Sequence, residues 1–260
     1  MIKITDSLEK LSNQIFRLIP QPKPSLNQLK HTKIIAHRGC WNTKERLENT
    51  LPAFIEALNY DIWAIEFDIR WTKDNIPIIH HDPNTGRIFG TDLQIAETEF
   101  KELRKEIPQI PRLDELVRTL GGNIHFMMEL KNKCTDEQVN ILKKILAPLK
   151  PIEDYHFMSL DLDRFTNLHF SDSKAFVSIA RTNIKSIYQA STKMDLGGFT
   201  GQYLLLTGKM TDQCHKQNIL VGTGFSDNKF LFYREANRGI DWIFTNKAIE
   251  IAELKSKLLS

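Results

Sequence analysis

Cysteine is scarce in this sequence: Cys40, Cys134 and Cys214 are the only three in 260 residues. They lie far apart and form no Cys-x-x-Cys pair, so neither a disulfide framework nor a thiolate zinc site is expected. The same scarcity fits a reducing, cytoplasmic compartment. Long apolar runs are missing too. No stretch approaches the roughly 18 consecutive apolar residues that read as a bilayer crossing, so no stable membrane span is expected. The opening ITDSLEKLSNQIFRLIP carries charges throughout and lacks a small-residue cleavage site, unlike a secretory signal. Charge of one sign is not in excess either. Lys and Arg number 35 against 32 Asp and Glu, a net +3, and no basic run is interleaved with aromatics, which argues against a nucleic-acid partner.

What is present is ordinary for a soluble globular chain, with 41% hydrophobic and 26% charged residues. The length suits one large α/β barrel as well as two smaller domains. Near the start, Leu8, Leu11, Ile15 and Leu18 share one helical face behind an Asp6/Glu9 pair that resembles a capping box. The expectation is a helix packed on the domain's own bottom or side rather than a membrane-surface anchor. PQPKP (20–24) then breaks the helix and acts as a stiff spacer, so a helical extension over 1–32 precedes a domain over 33–260.

From residue 33, short apolar runs alternate with helical periodicity. Strands are expected near 33–37, 62–69, 77–81, 123–130, 154–160, 174–180, 196–201, 219–224 and 241–245. Between them Leu51, Phe54, Ile55 and Leu58 recur at helical spacing, as do Leu113, Leu116, Val117 and Leu120. Leu142, Ile145, Leu146 and Leu149 repeat it behind a Thr135/Gln138 capping box. Such alternation implies a mostly parallel sheet. A doubly wound sheet would want a glycine-rich phosphate loop after the first strand, and HRGCWN has one glycine. The expected fold class is therefore a (β/α)8 TIM barrel with a short N-terminal helical extension. Nine strand candidates exceed eight by one, and LGGFTG, with three glycines in six residues, reads best as a loop.

In such a barrel, ligand chemistry collects where strands end. The first strand ends in His37 and Arg38, the second carries Glu66 and Asp68, the third ends in His81 and Asp82, and the fourth carries Glu129 followed by Lys131. Glu66 and Asp68, two apart on one strand, project from the same face. Side-by-side carboxylates on a buried strand need a positive partner. With Glu129 as a third oxygen donor, they make a hard-cation site suited to Mg²⁺ or Ca²⁺. His37 and His81 supply the two proton-transfer groups that phosphodiester cleavage requires. Arg38 and Lys131 suit the non-bridging phosphate oxygens. His80 alternates away from His81 and reads as structural.

HRG, ENTLPAF, IEFDIRWTKDNIPIIHHD and MMELK, followed by FMSLD and RGIDWIFTN, resemble the glycerophosphodiester phosphodiesterase family over roughly residues 33 to 250. The resemblance implies a TIM barrel, a divalent cation, and hydrolysis of a small-molecule glycerophosphodiester to glycerol phosphate and an alcohol. By position, His37 and His81 match the family's catalytic histidines. Glu66, Asp68 and Glu129 match its metal ligands, and Arg38 and Lys131 its phosphate contacts. The departures are a longer loop after HRG, Leu47 in place of proline, and Gly224 or Phe225 in place of a tryptophan. Asn246 stands in place of an acid near the end. Phe225 is not expected to stand in for the tryptophan, because it neighbours Gly224 on a strand and so faces the other way. A lysophospholipase D-type or sphingomyelinase D-type activity shares this core, and would show itself by an apolar rim at the mouth. A barrel that binds a phosphorylated ligand without turnover would have lost a histidine or a carboxylate, and none is missing.

Overall fold

Strands that are apolar on both faces must be covered on both, and a closed barrel inside a ring of helices does so while leaving no edge. The protein adopts that solution. The computed structural model describes residues 12, 14–42 and 45–260, so Asp6, Leu8, Glu9 and Leu11 fall outside the described residues. The strands are β1 (Lys33–His37), β2 (Ala64–Trp71), β3 (Pro77–Ile79), β4 (His125–Leu130) and β5 (Tyr155–Ser159). They continue with β6 (Phe176–Ile179), β7 (Gly198–Gln202), β8 (Leu220–Gly224) and β9 (Trp242–Thr245). All but β3 pair in parallel in the order β1-β9-β8-β7-β6-β5-β4-β2, and β2 returns to β1 to close an eight-stranded barrel.

The helices are α1 (Leu26–His31), α2 (Leu51–Glu56), α3 (Gly86–Phe89), α4 (Phe100–Glu106) and α5 (Leu113–Leu120). After them come α6 (Asp136–Ile145), α7 (Ile184–Lys193), α8 (Gly208–His215), α9 (Lys229–Asn237) and α10 (Ala248–Leu259). The barrel lumen is filled by Ile35, Met127, Met158, Val177, Trp242 and Phe244. A larger shell that includes Phe54, Leu116, Phe199 and Ile251 seals the helices onto the strands.

Two strand assignments differ from the sequence reading. LGGFTG is a barrel strand, β7, and not a loop. Its glycines are there because neighbours occupy the space a side chain would take. A Cβ on Gly198 would lie 2.4 Å from the Trp242 ring, and one on Gly197 would lie 1.8 Å from the Lys174 carbonyl oxygen. The surplus strand is instead the one at PIIHH. Among the strands, β3 pairs with β2 alone and antiparallel, from Ile69↔Ile79 to Trp71↔Pro77. β2 therefore overruns the barrel and folds back at a turn closed by Thr72 N–H to the Ile76 carbonyl (3.1 Å). As a result β4 stands directly beside β2, with Asp68 opposite Glu129.

Helix α5 follows the expected pattern; α6 has the reciprocal Thr135/Gln138 cap but ends at Ile145, so Leu146 is its C-cap and Leu149 lies beyond it. Helix α2 departs from it. Its chain tightens into a 3-10 turn over Ala57–Asn59, which rotates the buried face onto Ala53, Phe54 and Ala57 and leaves Ile55 and Leu58 exposed. At the N-terminus, residues 12 and 14–16 are helical. Ser12 and Phe16 face the barrel, through a 2.6 Å hydrogen bond and an edge-on ring contact to Tyr203. Ile15 and Leu18 point outward, against the expectation that they pack on the domain. No helix among the described residues is long and apolar enough to cross a membrane.

Candidate functional site

At the end of β1 the backbone turns left-handed at Arg38 (φ 58°) and Gly39 (φ 82°). Gly39 is needed for space as well as conformation, since a Cβ there would lie 2.8 Å from Phe54 and 3.0 Å from the Ala53 backbone. A left-handed arginine costs about 1 kcal/mol or more. The turn gains in return a hydrogen bond from the Arg38 N–H to Glu66 Oε2, 3.0 Å long. Asn49 is also left-handed, as asparagine tolerates. Its N–H donates to the Arg38 carbonyl (3.0 Å) and its Nδ2 to Asp68 Oδ2 (2.8 Å).

Glu66, Asp68 and Glu129 are buried, and each offers an oxygen within 4.8 Å of the others. Lys131 Nζ lies 2.7 Å from Asp68 Oδ1 and 2.8 Å from Glu129 Oε1. Those two oxygens are paired in charge but lack an aligned hydrogen bond. Arg38 Nε stands 3.5 Å from Asp68. Burial pushes the Glu66 carboxyl well up, and Asp68 and Glu129 push it further. Burial would raise Asp68 as well, but Lys131 and Arg38 prevail and hold it below the usual carboxylate range. Glu129 is raised by burial, against the pull of Lys131. With all three ionised, the carboxylates against two cations would leave one negative charge in a desolvated site, which is why Glu66 holds its proton when no metal is bound. Buried, under-bonded hard oxygens with a net negative charge fit a divalent metal ion of the Mg²⁺ or Ca²⁺ kind.

The histidines flank this cluster. His37 Nε2 is 3.8 Å from Glu66, and its Nδ1 is 2.7 Å from Asn246 Oδ1. Burial, reinforced by Arg38, lowers His37 to about 3. His81 has Nδ1 2.7 Å from Asp82 Oδ1, and Arg70 Nε holds its carbonyl at 2.8 Å. Burial lowers His81 as well, with Asp68 acting to raise it. His80 turns into the protein, with Nε2 3.0 Å from the Asn84 carbonyl and its ring stacked on Phe89. All seven predicted residues (His37, Arg38, Glu66, Asp68, His81, Glu129 and Lys131) thus meet at the C-terminal end of the barrel.

The sequence reading missed the groups that hold them. Glu48 accepts from Arg38 Nη1 (2.8 Å) and from Arg87 Nη1 and Nη2 (3.1 and 2.7 Å). Arg87 Nε also donates to Asp82. A continuous chain therefore runs Arg38–Glu48–Arg87–Asp82–His81. Glu48 and Asn49 belong to ENT, the one signal that could have drawn attention to them. Arg87, on α3, carries no pattern of its own. Phe225 corrects another expectation. It lies beyond the end of β8 with φ 64°, so strand alternation does not govern it. Its ring sits edge-on to His37 at 4.9 Å, so it faces the mouth after all.

Residues 37–250 match the sequence profile of the glycerophosphoryl diester phosphodiesterase family. A glycerophosphodiester phosphodiesterase from Caldanaerobacter subterraneus is 22% identical over 87% of this chain and 98% of its own. A lysophospholipase D from Rattus norvegicus is 30% identical over 120 residues, which is 45% of this chain and 34% of that protein. The chain thus matches only about a third of the length of the first curated relatives. Among solved structures, a glycerophosphodiester phosphodiesterase from Thermotoga maritima superposes with a TM-score of 0.74 at 23% identity, covering 86% of this chain and 98% of that one. An Oleispira antarctica phosphodiesterase, in complex with the product sn-glycerol-3-phosphate, gives 0.71 at 19% identity, covering 88% and 98%.

Proposed function

The chain belongs to the glycerophosphoryl diester phosphodiesterase family, and on that premise we propose that it is a metal-dependent hydrolase of glycerophosphodiesters, releasing glycerol phosphate and an alcohol. The observation that carries this reading is the gathering of three buried carboxylate oxygens within 4.8 Å, with Arg38 and Lys131 against them. Glu66, Asp68 and Glu129 would hold the cation. When bound, it neutralises phosphate charge and polarises the phosphoryl group. With a divalent ion the cluster's charge becomes +1, complementary to a phosphodiester monoanion.

The two histidines divide the proton work by what stands behind them. Asn246 is neutral, and its Oδ1 places the His37 proton on Nδ1, leaving Nε2 as a lone-pair acceptor. His37 then takes the proton from the nucleophile, either water or the substrate's neighbouring hydroxyl. Asp82 is a carboxylate, and it favours the charged imidazolium at His81 against the burial that lowers it. His81 then gives its Nε2 proton to the leaving oxygen. Arg38 and Lys131 bind the non-bridging oxygens, the first through its fork and the second as a point charge. A second reading, a lysophospholipase D-type activity, is favoured by one observation: Leu204 and Leu205 stand exposed in the loop that leaves the C-terminal end of β7. Choline release from glycerophosphocholine and from lysophosphatidylcholine, each with and without EDTA, tests both. Turnover of either in excess EDTA, with no bound metal by elemental analysis, refutes the metal-dependent mechanism. Failure to cleave either refutes the proposed activity.

A further inference from the structure

We infer that the flank of the mouth formed by the loops after β6, β7 and β8 is a docking surface for an anionic lipid bilayer. Scattered exposed leucines are ordinary on a protein surface, whereas clusters are not. Ten large apolar side chains stand exposed among the described residues, and five of them belong to two segments that meet at Tyr203: Ile15, Leu18 and Ile19 in one, Leu204 and Leu205 in the other. The N-terminal helical turn is fastened to Tyr203 through Ser12 and Phe16, and Leu204 and Leu205 follow it in the chain.

The platform under these side chains is tied to the barrel by buried groups. Tyr203 and Leu206, which bracket the exposed pair, are buried. The Tyr203 carbonyl accepts from Arg234 (3.4 Å) and Arg238 (3.3 Å), and the Leu206 carbonyl accepts from Arg238. Both arginines are held in turn by the fully buried Glu235. The two leucines are thus presented outward from a fixed loop.

Charge decides what fits there. The loops after β6, β7 and β8, with the first turn of the helix each one enters, carry Arg181, Lys185, Lys209 and Lys229, all exposed. They contain one acid, Asp227, and it is engaged with Thr245 and Asn246. A second copy of this chain would set like charges against each other. An anionic lipid surface complements them, while the leucines enter the interface. The surface also adjoins the site, because Phe225, first residue of the β8 loop, is the one packed on His37. Resting on the proposed activity, the docking brings phosphodiesters carried by lipid to the mouth.

Co-sedimentation with phosphatidylcholine vesicles, with and without phosphatidylglycerol, tests the docking without requiring turnover. Binding is expected to the phosphatidylglycerol vesicles at ~0.1 M salt and to weaken at higher salt as the charges are screened. The double variant Leu204→Glu, Leu205→Glu should bind at least about tenfold less. It should melt at the wild-type temperature, which shows that it is folded. Lys185→Glu with Lys209→Glu should lose the preference for phosphatidylglycerol. No binding by the wild type, equal binding to both vesicle types, or unchanged binding by the leucine variant would each overturn the inference. If no phosphodiester is cleaved but the vesicle results stand, the activity fails and the docking does not.

Discussion

Glu66→Gln separates a metal-binding cluster from a merely paired one. The change removes one charge but keeps an oxygen of the same reach, so the Arg38 N–H retains its acceptor. Unit charges at 4.8 Å, the outer limit of the cluster, repel by about 3.5 kcal/mol at an effective dielectric near 20. Glu66 faces two such neighbours, Asp68 and Glu129, and is attracted by Arg38 and Lys131. With most of the repulsion offset, relief on the order of 2 kcal/mol remains. For a chain of this size that corresponds to a rise in Tm of roughly 4–8 °C in EDTA. Metal reverses the order. At a hundredfold excess over Kd, a bound cation stabilises the wild type by about 2.7 kcal/mol, and the variant, one ligand short, gains much less.

Proton linkage supplies a second signature. The folded, metal-free state holds the Glu66 proton more tightly than the unfolded chain does, because burial and its acidic neighbours raise the carboxyl. Stability from that proton is present below the ordinary carboxylate range and is lost as pH rises through the raised folded value. The gap between Glu66→Gln and the wild type in EDTA should therefore widen as pH rises, and metal affinity should improve over the same interval as the proton leaves. Thermal melts in EDTA, Mg²⁺ and Ca²⁺ across pH read all of this. A variant that melts below the wild type in EDTA, or that gains as much from metal, would refute the reasoning.

Three further expectations concern the surrounding groups. His37→Ala and His81→Ala should each lower kcat by on the order of 10²–10⁴-fold while remaining folded. His80→Ala should keep kcat but lose roughly 1–3 kcal/mol of stability with its buried hydrogen bond; an inactive, folded His80→Ala would reverse the assignment of the two histidines. Arg87→Met should lower kcat roughly tenfold or more with little change in KM, and Arg87→Lys should recover part of the loss, since Arg87 joins the groups behind Arg38 and His81. A rise in KM alone would make Arg87 a substrate contact instead.

The legible part of the sequence was the part governed by strong, local rules. Glu66 and Asp68 share a face because a strand has a period of two, and α5 and α6 follow from the spacing of their leucines. What escaped depends on contacts made across the fold. Gly198 reads as a loop residue until Trp242 is seen to occupy its side-chain space. His81 reads as the end of a barrel strand, yet it reaches the site because β2 overruns the rim and β3 returns antiparallel beside it. No periodicity distinguishes those two routes. Ile15 and Leu18 obey helical spacing but face outward, since Phe16 and Ser12 have the partners on the barrel.

Two departures that read separately in the sequence, an altered β8 ending and an asparagine at 246, prove to be one arrangement. Asp227, in the β8 loop, accepts from the Thr245 hydroxyl (2.8 Å), from the Asn246 N–H (2.8 Å) and from Asn246 Nδ2 (3.1 Å). With its amide nitrogen held by a carboxylate, Asn246 can present only its oxygen to His37. Orientation at His37 is thus kept, while the negative charge stands one side chain farther away. A carboxylate in contact with His37 would favour the imidazolium, and an amide does not. Asp82, in direct contact with His81, does favour it. The exchange leaves the two imidazoles chemically unequal, as the proposed division into proton acceptor and proton donor requires.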